Sequence, residues 1–137
     1  MGKKIVLISC ASKKRPVRSQ AKDLYISTLF ELNLKYAKSL NPDVIYILSA
    51  KYELLNLETE IEPYNLTLNN MTQSEIKEWA LRVINQLNEK TDLTNDHFIF
   101  LAGNNYRKYL VSSLKSYEVP LEGLPIGKQL QYLKRNT

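Results

Sequence analysis

Three short apolar runs punctuate the chain, at residues 5–10, 44–50 and 98–103. Each is continuous rather than alternating, the pattern of parallel strands covered on both faces. Helical periodicity fills the intervals. After Asp23, Leu29, Leu32, Tyr36 and Leu40 recur at helical spacing, and Asn41-Pro42-Asp43 stops the element. Thr72 with Glu75 three residues on spells a capping box, and Ile76, Trp79, Ala80, Val83, Ile84 and Leu87 form an apolar stripe behind it. A third helix is expected from Asn104 or Asn105, turning Tyr106, Leu110 and Leu114 inward. A last short one is expected after Pro125, presenting Leu130 and Leu133.

Strand and helix thus alternate, and right-handed crossovers turn that order into an α/β fold with a mainly parallel sheet of three strands. Residues 117–121 are a candidate fourth. No repeat, low-complexity tract or linker divides the chain, and 137 residues are about one domain's worth, so residues 1–137 read as a single domain. Two stretches, 11–22 and 51–71, read as long irregular loops, which in a compact domain are more often functional than idle.

Composition narrows the picture. Apolar residues make up 44% and charged residues 24%, which excludes disorder as the main state. The longest apolar runs fall far short of the ~20 residues of a membrane span, and the run after Lys3 and Lys4 is too brief for a signal peptide, so neither membrane nor export is expected. With one cysteine, Cys10, and one histidine, His97, neither an internal disulfide nor a His/Cys zinc cluster can be assembled. A reducing, cytoplasmic setting fits, and no metal is expected. The net charge of +5 is polarised: seven basic residues and no acidic one lie between Lys3 and Lys22, while Glu53, Glu58, Glu60 and Glu62 crowd the middle. Such a basic third suits phosphate, whether of a nucleotide or of nucleic acid, though it also serves solubility.

Ligands of open parallel sheets bind beyond the carboxyl ends of the strands. All three runs turn small or polar there, at Ser9-Cys10-Ala11-Ser12-Lys13-Lys14, Ser49-Ala50-Lys51-Tyr52 and Ala102-Gly103-Asn104-Asn105, so they are expected to converge on one crevice. The first ending is neither a Walker loop nor a dinucleotide fingerprint, because the glycines are missing; no cofactor is implied. Its hydroxyls and cations suit an anion. Cys10 is a candidate nucleophile beside those lysines, and equally a packed small thiol. Lys14 and Lys51 are alternative nucleophiles if a partly dry pocket strips their proton, and otherwise solvated charges. Tyr64, after Pro63, is placed to stack on something flat or on the protein's own core. Glu62 is the candidate carboxylate for a proton or a base edge. His97 opens its strand at the opposite end and reads as structural.

These segments carry a resemblance. Leu48-Ser49-Ala50-Lys51-Tyr52-Glu53-Leu54-Leu55 and Ile61-Glu62-Pro63-Tyr64-Asn65-Leu66 are similar to the signature of the YaaA peroxide-stress proteins, with Glu53 where those carry glycine. Together with residues 8–14, Asp23-Leu24-Tyr25, Leu101-Ala102-Gly103 and Leu124-Pro125-Ile126-Gly127-Lys128-Gln129-Leu130, they resemble more closely a family of small bacterial and phage domains, domain of unknown function 6884. Cys10, Lys14 and Pro16 are similar to the C-x-x-x-K-P-Y pattern of archaeosine synthase, which modifies a tRNA base through a lysine. Here Ser9 replaces a proline, Arg15 intervenes before Pro16 and Val17 replaces the tyrosine. The resemblance implies a three-layer αβα sandwich related to uracil-DNA glycosylases, and, through YaaA, DNA binding in oxidative stress.

The resulting expectation is a crevice that recognises a nucleobase or nucleotide, free or within nucleic acid, with base-modification chemistry as the extended form of that reading. Ser12, Lys13 and Lys14 would hold phosphate or polarise an electrophile, with Lys14 the nucleophile and Lys51 adding charge. Tyr25 and Tyr64 would stack on the base, and Ser49 and Asn104 would bond its edges. Ser9, Tyr52, Glu62, Tyr106 and Lys128 complete the expected ligand-binding set. The rival expectations are a non-catalytic DNA- or RNA-binding module and a protein that sequesters a nucleotide.

Overall fold

The strand β1 (Lys4–Ser9) lies at the centre of a five-stranded sheet of order β4-β3-β1-β6-β7. The computed structural model describes residues 2–137. β1 pairs in parallel with β3 (Val44–Ser49) on one side and β6 (His97–Leu101) on the other, Leu7 facing Tyr46 and Phe100 in register. Alternation across the pleat then sorts side chains into two cores. Ile5, Leu7, Tyr46, Leu48, Phe98 and Phe100 face one way, and Val6, Ile8, Ile47, Ile99 and Leu101 the other.

The first face is covered by α3 (Gln73–Lys90), whose buried stripe is Ile76, Trp79, Ala80, Val83 and Leu87. Its start is the expected capping box: Thr72 Oγ1 accepts from the Glu75 amide and Glu75 Oε1 from the Thr72 amide. The second face is covered by α1 (Ala21–Leu24), α2 (Thr28–Ser39) and α5 (Ile126–Arg135). Tyr36 of α2 and Tyr132 of α5 meet edge to face with their hydroxyls 3.3 Å apart, and burial pushes the Tyr36 phenol up to about 12. The molecule is therefore an αβα sandwich about a mostly parallel sheet.

Five expectations need correction. The sheet has five strands, because β4 (Glu53–Asn56) pairs antiparallel with β3 inside the stretch expected to be irregular. A two-stranded ribbon, β2 (Ser19–Gln20) with β5 (Glu60–Ile61), likewise ties the two supposed loops to each other. The helix expected from Asn104 is only α4 (Asn104–Arg107), followed by a separate 3₁₀ turn over Val111–Ser113; the β-branched valine and two serines there are poor helix formers. The fourth strand, β7 (Ser116–Glu118), begins one residue early and ends by Glu118, pairing with β6. Finally, α2 is rotated from its expected phase: Phe30, Asn33, Tyr36 and Ala37 are buried, while Leu29, Leu32 and Leu40 are half-buried.

The turn into β4 contains one strained residue. Glu53 has φ of 64°, a left-handed conformation that costs a side-chain-bearing residue roughly 1–2 kcal/mol. It is held there from α3, where Arg82 Nε and Gln86 Nε2 donate to its two carboxylate oxygens and Gln86 Oε1 accepts from the Leu54 amide. No helix among the described residues is long and apolar enough to cross a membrane.

Glu53→Ala removes those bonds and keeps the strain, whereas Glu53→Gly removes both. Urea unfolding is expected to find the alanine variant the less stable by ~1 kcal/mol; equal stabilities would mean that the turn is unstrained.

Candidate functional site

Strand order fixes where a site can form. From β1 the chain crosses by α2 to β3; from β6, on the other side of β1, it runs through α4 away to β7. The connections diverge between β1 and β6, and such a switch point leaves a crevice at the carboxyl ends of the two strands. A cavity of about 500 Å³ opens there, lined by Ser9 and Cys10 after β1 and by Phe100, Leu101, Ala102 and Gly103 at the end of β6. Its walls come from Ser12 and Lys14 of the first loop, Leu29 and Asn33 of α2, Asn65 to Thr67 and Asn69, Asn104, Tyr106 and Arg107, and the segment from Val119 to Gln129.

Only two of the three strand ends expected to converge do so. Ser49, at the end of β3, is fully buried beside the site and does not line it, because β3 lies on the far side of β1 from the switch point. Its role is structural support. Ser49 Oγ lies 2.8 Å from the Tyr64 hydroxyl, which lies 2.7 Å from the Tyr25 hydroxyl, and Ser49 Oγ also accepts from the Tyr52 amide. Trp79 Nε1 donates to the Ser49 carbonyl at 2.9 Å. Tyr25 is 1% exposed, its ring against Phe30, so no face of it is free to stack on a base. Burial, reinforced by nearby Cys10, pushes both the Tyr25 and Tyr64 phenols far above the ordinary tyrosine range, so they remain neutral.

On this hydroxyl cluster sits Lys14. Its Nζ lies 4.3 Å from the centre of the Tyr64 ring and 5.8 Å from that of Tyr25, in cation–π range, and donates to the Ser12 carbonyl. Backbone bonds hold the loop in place: the Arg15 amide donates to Leu24, and the Ile26 amide to Lys13. Lys14 has no carboxylate partner among the described residues. Partial burial lowers its pKa, opposed by the Cys10 sulfur, so at neutral pH more of it is the free amine than for a solvated lysine. The other cation of the lining, Arg107, is engaged: Nε donates to the Ala102 carbonyl and a terminal nitrogen lies 3.8 Å from Glu122.

A second cluster faces Lys14's from the α4 side. Cys10 Sγ donates to the Tyr106 hydroxyl at 3.5 Å, the Leu68 amide donates to the same oxygen, and Thr67 Oγ1 lies 3.3 Å away. Burial, and then Cys10, push the Tyr106 phenol up to about 12, so it too stays protonated. The cavity thus combines a neutral phenol and a cysteine side chain with one amine that has no carboxylate partner.

Of the expected site residues, Ser9, Cys10, Ser12, Lys14, Asn104 and Tyr106 line the cavity, and Tyr25, Ser49 and Tyr64 support it. Tyr52 lies behind them, its ring edge on Tyr64. Lys13, Lys51, Glu62 and Lys128 are exposed and outside the lining; the Lys51 ammonium instead lies 5.3 Å from the Tyr52 ring. His97 shares hydrogen bonds with Ser116 and Glu118 at the opposite edge. Sequence reasoning missed Asn33, Asn65, Asn69, Arg107 and Gln129, which give the lining an amide-rich character. The asparagine in the middle of an otherwise apolar helical stripe was the one available signal.

A family model matches residues 5–135, nearly the whole chain, and its description is "Family of unknown function" (DUF6884). The chain belongs to this family. No curated protein and no solved structure matches it. What DUF6884 places at its switch point therefore has to be read from the side chains themselves.

Lys14 is expected to react with an amine-directed reagent with an apparent pKa below the ordinary ~10.4 of lysine. Competitive acetylation across a pH series, read peptide by peptide by mass spectrometry, measures it; an ordinary value would remove the argument for a reactive amine.

Proposed function

We propose that the cavity binds a nucleobase or nucleotide and that Lys14 is its reactive group. The supporting observation is the pairing of apolar lining (Leu29, Leu66, Phe100, Leu121, Ile126) with carboxamides (Asn33, Asn65, Asn69, Asn104, Gln129) around one amine without a carboxylate partner. Apolar faces suit a flat ring, carboxamides suit the donor and acceptor edges of a base, and Lys14 suits a phosphate oxygen or an electrophilic carbon. The volume lies within the range of small-molecule sites. The motif similarity of Cys10, Lys14 and Pro16 to archaeosine synthase, and of the Tyr52 and Tyr64 segments to YaaA proteins, is in keeping with this reading.

In it, Ser12 and Lys14 hold the anionic part, while Leu66 and Ile126, both exposed at the lining, cover the ring. The tyrosines expected to stack act instead beneath Lys14, keeping it in a partly dry position. A second reading, an open nucleic-acid surface without turnover, draws on Lys13, Arg15 and Arg18, which are exposed on the same loop.

Thermal-shift measurements against nucleobases, nucleosides, nucleotides and short single-stranded oligonucleotides test both. A ligand at ~100 times its dissociation constant adds ~2.7 kcal/mol and a readily measured rise in Tm. A nucleotide is expected to stabilise the wild type and not Lys14→Ala, with mass spectrometry of the recovered ligand deciding between turnover and simple binding. Stabilisation by oligonucleotides alone, falling steeply with salt, would favour the open surface. An equal response in Lys14→Ala would overturn the assignment of Lys14.

A further inference from the structure

The interior carries one polar atom that the fold leaves without a partner. Asn33 is 4% exposed and sits in the buried stripe of α2 among Phe30, Tyr36 and Ala37. Its Oδ1 accepts no hydrogen bond, the one such buried side-chain atom among the described residues. A buried acceptor without a donor costs roughly 1–3 kcal/mol, and in native proteins such groups are few. An apolar residue at this position would fit the stripe and avoid that cost. Asn33 also borders the cavity, beside Leu29 one turn earlier on the same helix face.

Asn33 differs from the other carboxamides of the lining: Asn65 is exposed and Gln129 half-buried, so water reaches them, and the remaining acceptors have partners within the fold. Asn69 Oδ1 accepts from Asn105, Asn104 Oδ1 from Arg107, and Glu122 faces Arg107. The Tyr106 oxygen accepts from the Leu68 amide. The lining therefore has donors to offer, foremost the Lys14 ammonium, and on its α2 side borders the one acceptor that is both buried and unmet.

We infer that Asn33 is a recognition residue whose side-chain carbonyl accepts a hydrogen bond from an N–H on the ring edge of the ligand, so that the cavity selects planar heterocycles that carry such a donor. This rests on the nucleotide reading above and sharpens it. The ring lies between the apolar residues, its N–H edge toward α2 and its anionic part toward Lys14. A site built to bond an N–H discriminates strongly against analogues lacking it, because the partner is then left buried and unpaired.

Two measurements test this. The first needs no ligand: Asn33→Leu removes the unpaired acceptor while keeping the branching and number of side-chain heavy atoms, with Asn33→Ala as a smaller companion that adds no bulk. Leucine also has the better helix propensity, so Asn85→Leu, at an exposed position of α3, supplies the reference. Asn33→Leu is expected to raise Tm by at least as much as Asn85→Leu. A fall in Tm in both Asn33 variants would mean that the amide is satisfied within the fold, and would overturn the inference.

The second measures binding of AMP, GMP, CMP and UMP, whose bases all carry an N–H, against purine riboside 5′-monophosphate, whose base carries none. The wild type is expected to bind the best of the four at least ~10-fold more tightly than the purine riboside nucleotide, and Asn33→Leu to lose that difference. Discrimination that survives in Asn33→Leu overturns the inference while leaving the nucleotide reading intact. Silence of the wild type toward every nucleotide overturns that reading, and the inference with it.

Discussion

Everything in this molecule depends on β1 being paired on both sides and buried on both faces. A six-residue strand of Lys-Ile-Val-Leu-Ile-Ser meets that demand because its four middle residues are apolar whichever way they point. Ile5 and Leu7 anchor one core and Val6 and Ile8 the other, so α3 and the α2–α5 pair are both held through the same strand. The consequence for function is topological. A central first strand forces the chain to leave toward one neighbour and return past it to the other, and the gap between β1 and β6 is where the layers cannot close.

The chain fills that gap with polar groups at some cost to stability. Phenol, hydroxyl and thiol groups of Tyr25, Tyr64, Ser49, Tyr106, Thr67 and Cys10 occupy positions where hydrocarbon would pack without hydrogen-bonding demands. Nearly all of them find partners, which makes the wall rigid rather than merely polar. Lys14, partly desolvated over Tyr64, and Asn33, without a donor, break that economy. Departures from local consistency concentrate where function needs them, and here the two departures border one cavity.

The fold was legible because its strongest signals are local. Continuous apolar runs marked β1, β3 and β6, and Thr72 with Glu75 marked the start of α3. What stayed hidden required tertiary context. β4 could not be read in residues 53–56 because its pairing with β3 is supported by Arg82 and Gln86, some thirty residues away in α3, which hold a turn residue in a left-handed conformation that sequence preference assigns to glycine. The phase of α2 was misread because the three leucines Leu29, Leu32 and Leu40, taken with Tyr36, outweigh a stripe containing an asparagine. At the site, Lys14 and Tyr106 stood next to the strands that flank the switch point, whereas Lys51 followed the end of β3, on the far side of β1, and sequence alone does not give the order of strands across the sheet.

The same distinction bears on what the basic N-terminal third is for. Net charge attracts any polyanion, and the exposed cations Lys13, Arg15 and Arg18, the last paired with Glu60, add to that pull at long range. Selectivity needs something that salt and solvent cannot supply as easily, namely groups that are dry, fixed and incomplete. On the exposed loop Arg18 is already paired with Glu60, and Lys13 and Arg15 stand in the open. Within the cavity, Lys14 lacks a carboxylate and Asn33 lacks a donor; the Lys14 ammonium is set over the Tyr64 ring and bonded to the Ser12 carbonyl, and Asn33 is fixed in α2. Attraction and selection are thereby divided between the outside and the inside of one loop edge, and it is the inside that sets the chemical identity of the occupant.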